Sequence, residues 1–331
     1  MRAMRLVRPQ PAESQPLIYS DLPVPNPGPG QVRLRVRTCG VCHTDLHTVE
    51  GEIHPPQLPI TPGHQVVGEL DCLGKDVTDL ELGQRVGVPW LYSACGECEF
   101  CQRGQENLCP EAHFTGFHQD GGYAEYMLAD ARFVLPLPPE TNDLQAAPLL
   151  CAGIIGYRSL RQADLQPGER LGLVGFGASA HLAIQVARYW GCPVDVFTRS
   201  SEHRQHALEL GAAWAGGVED DSPAPLDRAI IFAPSGRLVP QALEKLRPGG
   251  TLAINAIYMS LIPEMPYRLV YGERTLRSVA NATYQDGVEF LQLAAQIPLR
   301  VTTQSYPLEE ANQALLDLKA SRINGEAVLI I

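Results

Sequence analysis

The run Cys95-x2-Cys98-x2-Cys101-x7-Cys109 constrains this chain more than any other feature. It gathers four thiol side chains into one short segment, enough to close a tetrahedron around a zinc ion. Unrelated core cysteines do not collect in this way among Gly96, Gly104 and charged side chains. An iron–sulfur cluster uses the same four ligands and is the rival reading. A closed four-thiolate site has no open corner, so it staples a lobe, here about residues 93–112, and does no chemistry itself.

The chain has 331 residues, 45% of them hydrophobic, with 28 prolines. That suffices for two domains, each with its own core, in a loop-rich α/β enzyme. A net charge of −11 argues against a nucleic-acid partner, which needs a basic footprint. No run approaches the roughly 20 apolar residues of a membrane span, and residues 1–8 lack a signal-peptide core. The expectation is a cytoplasmic protein with no membrane partner. Closely spaced cysteines suit zinc in a reducing compartment better than a disulfide framework.

The first half reads as β-rich. Val32, Leu34 and Val36 alternate with Arg33, Arg35 and Arg37, the period of a half-exposed strand. Prolines and glycines at 23–30 mark the preceding loop. Residues 66–70 and 84–88 are further short strands. After about Gly153 the texture changes. Strands at 171–174, 194–198, 229–232 and 251–254 alternate with helices at 201–210 and 238–246. One more helix carries Ala183, Val186, Ala187 and Trp190 on one face. That alternation predicts a doubly wound parallel sheet. The tail returns to a helix presenting Ala311, Ala314, Leu315 and Leu318, and ends in an apolar run, 327–331, able to pair with the first domain's sheet.

Between the first parallel strand and its helix lies Gly175-Phe176-Gly177-Ala178-Ser179-Ala180, a G-x-G-x-x-A turn. Strand before and helix after are the context in which this pattern binds a dinucleotide. Gly175 permits the tight turn, Gly177 the approach of the pyrophosphate, and Ala180 close helix–strand packing. The phosphates would rest on amides at the helix start. Counting about 20 residues onward reaches Asp195, the position of a ribose-binding carboxylate. Asp195 lies too early in its strand, because ligands sit at the carboxyl ends of such strands. That end reads Thr198-Arg199-Ser200, with an arginine able to pair with a 2′-phosphate. NADP(H) is therefore favoured, with NAD(H) retained.

Other candidates are weak taken singly. Cys42 lies in Gly40-Val41-Cys42-His43-Thr44-Asp45, His64 in Gly63-His64-Gln65, and Cys151 in Leu149-Leu150-Cys151-Ala152-Gly153. A lone cysteine is usually a small core residue, the reading given to Cys39 and Cys72. His54, His113 and His118 read as loop residues without partners.

Taken together with the four-cysteine lobe, the Gly121-Gly122-Tyr123-Ala124-Glu125-Tyr126 segment and the glycine turn, these segments stand in a familiar order. The chain resembles the zinc-dependent alcohol dehydrogenases of the medium-chain dehydrogenase/reductase superfamily over nearly its whole length. The resemblance implies a GroES-like catalytic domain (1–152 and 282–331), interrupted by a Rossmann domain (153–281), with the active site in the cleft between them. It implies two zinc ions per chain, one structural and one catalytic, the latter on Cys42, His64 and Cys151. Two thiolates balance the charge of the dication, and the vacant fourth corner acidifies an alcohol oxygen.

The resemblance also implies that Thr44 touches the substrate oxygen and that His47 ends a proton relay. Asp45 orients His64 from behind, His43 faces the cofactor pyrophosphate, and Trp90 lines the substrate pocket. Gln65 departs from the family, which carries glutamate there, able to approach the metal during ligand exchange. The implied reaction is reversible oxidation of a small alcohol to an aldehyde or ketone, in a homodimer or homotetramer. Rivals are a polyol or threonine dehydrogenase, a carbonyl reductase, a zinc-free quinone or enoyl reductase, and a non-catalytic NADPH-binding protein on the same scaffold.

Overall fold

A computed structural model of the chain describes residues 1–323 and 325–331. Contacts divide them into two compact units: Met1–Cys151 with Thr283–Gln296 and Arg300–Ile331, and Ala152–Ala282 with Ile297–Leu299.

The spine of the first unit is the strand Gln31–Val41. Val32, Leu34 and Val36 are buried as their alternation predicts, while Arg35 and Arg37 face solvent. Gln65–Leu73 and Glu326–Ile330 pair antiparallel with this spine, and Arg85–Val88 adds beyond Gln65–Leu73. Tyr126–Asp130 pairs with the first half of the same strand. The apolar tail thus closes onto the first sheet, as its composition suggested. The helix Ala311–Lys319 lays Ala311, Ala314 and Leu315, all fully buried, against the core; Leu318 is only half-buried. Burying a leucine or isoleucine such as Leu34, Ile60 or Leu70 contributes about 1.5–3 kcal/mol each.

The second unit is one sheet of six parallel strands. Its order is Trp214–Gly216, Val194–Phe197, Leu171–Val174, Leu226–Ile231, Leu246–Ile254, Thr275–Ser278. The first strand lies inside the sheet and the chain then builds outward both ways, the Rossmann arrangement. Leu171–Val174 and Val194–Phe197 are buried along their whole length, which is why they read as apolar runs rather than alternations.

Two expectations needed adjustment. The strand expected at 229–232 starts at Leu226 instead. Its charged opening hid it, because Arg228 is buried there beside Glu169 at 3.1 Å. Trp190, expected on the helix face of Ala183, Val186 and Ala187, is half-buried just past the end of Ala178–Tyr189.

Candidate functional site

Cys42 ends the spine strand and N-caps the helix His43–Glu50. Its Sγ accepts the Thr44 amide at 3.3 Å, and Asp45 accepts the Cys42 amide at 3.0 Å, closing a reciprocal cap. Asp45 is buried. Its other oxygen accepts the Gly63 amide at 3.1 Å and meets His64 Nδ1 at 3.1 Å. The remaining ring nitrogen, His64 Nε2, then faces Cys42 Sγ at 3.3 Å. Cys151 comes from a short π-helical stretch, Leu149–Gly153, a distortion that re-aims side chains at functional sites. One donor atom from each of Cys42, His64 and Cys151 lies within 4.8 Å of the others. The sequence scattered these three residues; the fold brings them together.

The electrostatics suit a cation. A hydrogen bond from Cys151 holds the Cys42 thiol well below its ordinary range, with the His64 charge assisting against burial. The same bond, with burial, drives Cys151 well above its own. Burial disfavours a charged His64, yet Asp45 and Cys42 outweigh it and hold the ring well above its usual value. Two sulfurs and an imidazole nitrogen whose far side is pinned by a carboxylate are a donor set that could hold a metal ion, and its donor types fit zinc.

Cys95, Cys98, Cys101 and Cys109 also converge. Their Sγ separations are 3.5 Å for Cys98–Cys101 and Cys95–Cys109, and 3.9 Å for Cys95–Cys101. A tetrahedron with bonds of about 2.3 Å has edges of about 3.8 Å, so these three separations lie near the length that a four-thiolate zinc site requires. Amides of Glu97 and Cys98 bring the Cys95 thiol down to about 7, while burial pushes Cys101 up to about 12.

Thr44 and His47 lie one turn apart on His43–Glu50, hence on one side of it. His47 Nδ1 is hydrogen-bonded to Glu52, and its ring centroid lies 6.3 Å from that of the exposed His43. Gln65 is fully buried and packed directly over Gly40, and among the described residues neither of its amide atoms has a hydrogen-bond partner. Trp90 stands edge-on to His64, with ring centroids 4.9 Å apart.

In the second unit Gly175 has φ +91°, and a Cβ there would press on Ala233 at 3.0 Å, so the turn needs glycine. Gly177 stands at the N-cap of Ala178–Tyr189, where among the described residues no side chain caps the amides, and Ala180 is fully buried. Asp195 is buried in an ion pair with Arg170 at 2.8 Å, which accounts for its carboxylate without a ribose. Beyond it, Thr198 is buried and Arg199 exposed; among the described residues no ion pair engages that guanidinium. The Ser200 hydroxyl accepts the His203 amide and caps the next helix.

Three features escaped the sequence reading. Glu326 faces Cys42 in the strand register set by Ala327 opposite Val41, and desolvation, with the Cys42 charge, pushes its carboxyl up to about 8. Only the antiparallel pairing of the tail reveals it. His118, expected to lack partners, accepts the Phe114 amide at 3.2 Å, and His113 lies in the short strand His113–Phe114. Phe114 and Phe117 join Trp90 in an aromatic wall, for which the density of rings at 114–118 was the available signal.

Comparison with known proteins agrees with this architecture. Residues 28–139 match the alcohol dehydrogenase GroES-like domain. A probable alcohol dehydrogenase of Mycobacterium tuberculosis is 47% identical, spanning 100% of this chain and 97% of its own length. The chain belongs to the alcohol dehydrogenases of the medium-chain dehydrogenase/reductase superfamily. A Geobacillus stearothermophilus alcohol dehydrogenase is 37% identical over 91% of each chain. Among solved structures, cinnamyl alcohol dehydrogenase from Sorghum bicolor superposes with a TM-score of 0.91 at 28% identity, covering 99% of this chain and 97% of that one. An alcohol dehydrogenase from Aeropyrum pernix gives 0.88 at 30% identity over 100% of both chains. Among the described residues no helix of this dehydrogenase is long and apolar enough to cross a membrane.

Proposed function

We propose that this dehydrogenase is zinc-dependent and prefers NADP(H), interconverting a small alcohol and its aldehyde or ketone. Cys42, His64 and Cys151 hold the catalytic zinc; Cys95, Cys98, Cys101 and Cys109 hold a structural one. The observation that carries the reading is the convergence of the first three donor atoms within 4.8 Å. When bound, zinc would supply Lewis acidity toward an alcohol oxygen, and the oxidised nicotinamide would supply a hydride acceptor.

The chain's own residues do the rest. Asp45, by occupying Nδ1, fixes the His64 tautomer so that Nε2 is the donor. Thr44 carries the hydroxyl that takes the substrate's proton, and His47, tied to Glu52, passes it toward solvent. Gly175, Gly177 and Ala180 shape the turn for the pyrophosphate, and His43 is a further cofactor-binding residue. Thr198, Arg199 and Ser200 meet the adenosine ribose, where the exposed Arg199 guanidinium supports a 2′-phosphate. Residues 1–152 and 282–331 form the catalytic domain and 153–281 the cofactor domain of a cytoplasmic homodimer or homotetramer. No nucleic acid or membrane is engaged.

Initial rates with primary, secondary and aromatic alcohols, using NADP⁺ and NAD⁺ in turn, test the reading alongside zinc analysis of Cys151→Ser. Turnover with neither cofactor by zinc-replete protein would leave a non-catalytic binding protein on the same scaffold.

A further inference from the structure

Three histidines meet in the second unit. His181 lies one turn into the helix Ala178–Tyr189. His203 and His206 lie three positions apart on Ser201–Glu209, hence on one side of it. The His181 and His206 rings stand at 76° to each other with centroids 4.7 Å apart. His203 stands edge-on to His181 at 6.2 Å. The buried ring of Phe176 packs against the group, 4.6 Å from His181 and 6.2 Å from His206.

The two closest rings are held from behind. His181 Nε2 is buried and has no hydrogen-bond partner among the described residues, so the bond that this ring makes with the Phe176 backbone engages Nδ1. That bond favours the protonated ring, which marks Nδ1–H as the donor and leaves the lone pair on Nε2. Burial, with His206 and His203 nearby, lowers the ring's value to about 3, so the lone pair stays free at neutral pH. His206 repeats the arrangement, its Nδ1 facing the Glu209 carboxylate at 3.7 Å. An unpaired buried nitrogen costs free energy, and a bound ion is one way to satisfy it.

Two imidazoles on one ion, bonded at about 2.0–2.1 Å, place their ring centroids about 4.5–5.5 Å apart. His181 and His206 already stand at such a spacing. His203 is exposed and must close by about 1 Å, so the trio is less tightly drawn together than the cysteine groups.

We propose that His181 and His206, completed by His203, form a further metal site for a divalent transition ion such as Zn²⁺ or Ni²⁺. A donor set of neutral imidazoles suits these ions and disfavours Mg²⁺ and Ca²⁺, which take oxygen. An ion there ties the helix after the glycine turn to the helix after Thr198–Ser200. None of its ligands belongs to a cysteine centre, so the inference stands or falls independently of the zinc-dependent reading.

Zinc-replete protein dialysed against Ni²⁺ at neutral pH, with nickel and zinc both counted afterwards, tests the site. The parent protein should take up about one Ni²⁺ per chain below about 100 μM and keep its zinc. His206→Gln should weaken that uptake by about tenfold or more, and His203→Gln by less. His181→Gln should abolish it. His206 is only half-buried, so its variant keeps the test decisive if the His181 variant does not fold. Excess Mg²⁺ should leave nickel uptake unchanged. Equal uptake by the parent and His206→Gln, uptake only in exchange for zinc, displacement by Mg²⁺, or no uptake at all overturns the site.

Discussion

Asp45 meets His64 Nδ1 at 3.1 Å, and both side chains are buried. The same carboxylate caps the helix that begins beside Cys42. One residue thus ties the local helix start to the orientation of a candidate metal ligand 19 positions away. Asp45→Asn keeps the shape but weakens the anchor, and should loosen zinc in the Cys42 centre by about 10–100-fold. Zinc release to a chromophoric chelator, followed in time, measures this; release as slow as in the parent protein would refute it.

The cysteine lobe makes a separate prediction. Cys101→Ser should lower the zinc content from about two ions per chain to about one, because a closed site needs all four thiolates. The melting temperature should drop by more than about 5 °C, since the lobe's own apolar cluster is small: Leu91, Ala94, Cys109 and Phe133. Metal analysis together with scanning calorimetry checks both. Unchanged stoichiometry would favour a lobe that folds without metal.

Cofactor choice is testable at Arg199. The guanidinium is exposed, and among the described residues no carboxylate holds it. Arg199→Asp replaces an attraction for a 2′-phosphate with a repulsion and should raise KM for NADPH about tenfold or more, with NADH little affected. Equal Michaelis constants for NADPH in the two proteins would remove that contact.

His181 predicts a pH dependence in the second unit. Its ring packs among Phe176, His203 and His206, and its buried Nε2 has no hydrogen-bond partner among the described residues. Burial, with the neighbouring histidines, lowers its value to about 3. Unfolded, the ring takes up a proton near 6.5, so between 6.5 and about 3 the unfolded chain binds more protons than the folded one. The neutral ring's contribution is complete above 6.5 and declines as pH falls through that window. His181→Leu should therefore lose less melting temperature between pH 7.5 and 5 than the parent protein; parallel losses would contradict this.

Gly40 tests the packing behind the metal ligands. A Cβ there would lie 2.2 Å from Gln65 Oε1 and 2.9 Å from Gln65 Cβ, so the whole glutamine side chain must shift. Gly40→Ala should cost about 1–3 kcal/mol of stability by overpacking. Urea unfolding measures it, and a midpoint like that of the parent protein would show that the strands part easily.

Much of this was readable along the chain, for a physical reason. Ligands three positions apart, as in Cys95-x2-Cys98-x2-Cys101, converge through local backbone geometry alone, and a G-x-G-x-x-A turn needs only its flanking strand and helix. The alternation at Val32, Leu34 and Val36 likewise reports a strand wherever its partners lie. Family resemblance supplied the grouping of Cys42, His64 and Cys151, which no spacing implies.

Tertiary structure decided what depends on register between distant segments. Gly40 opposite Gln65 brings His64 beside Cys42 and buries the glutamine amide; Ala327 opposite Val41 sets Glu326 against the same cysteine. The stack of Trp90 on Phe114 and the burial of Asp195 against Arg170 are of this kind too. Strand pairing joins residues far apart in the chain, and a slip of one position would turn each side chain to the opposite face. Local chemistry is therefore written in the order of residues, whereas the neighbours of a side chain are selected only when the sheet closes.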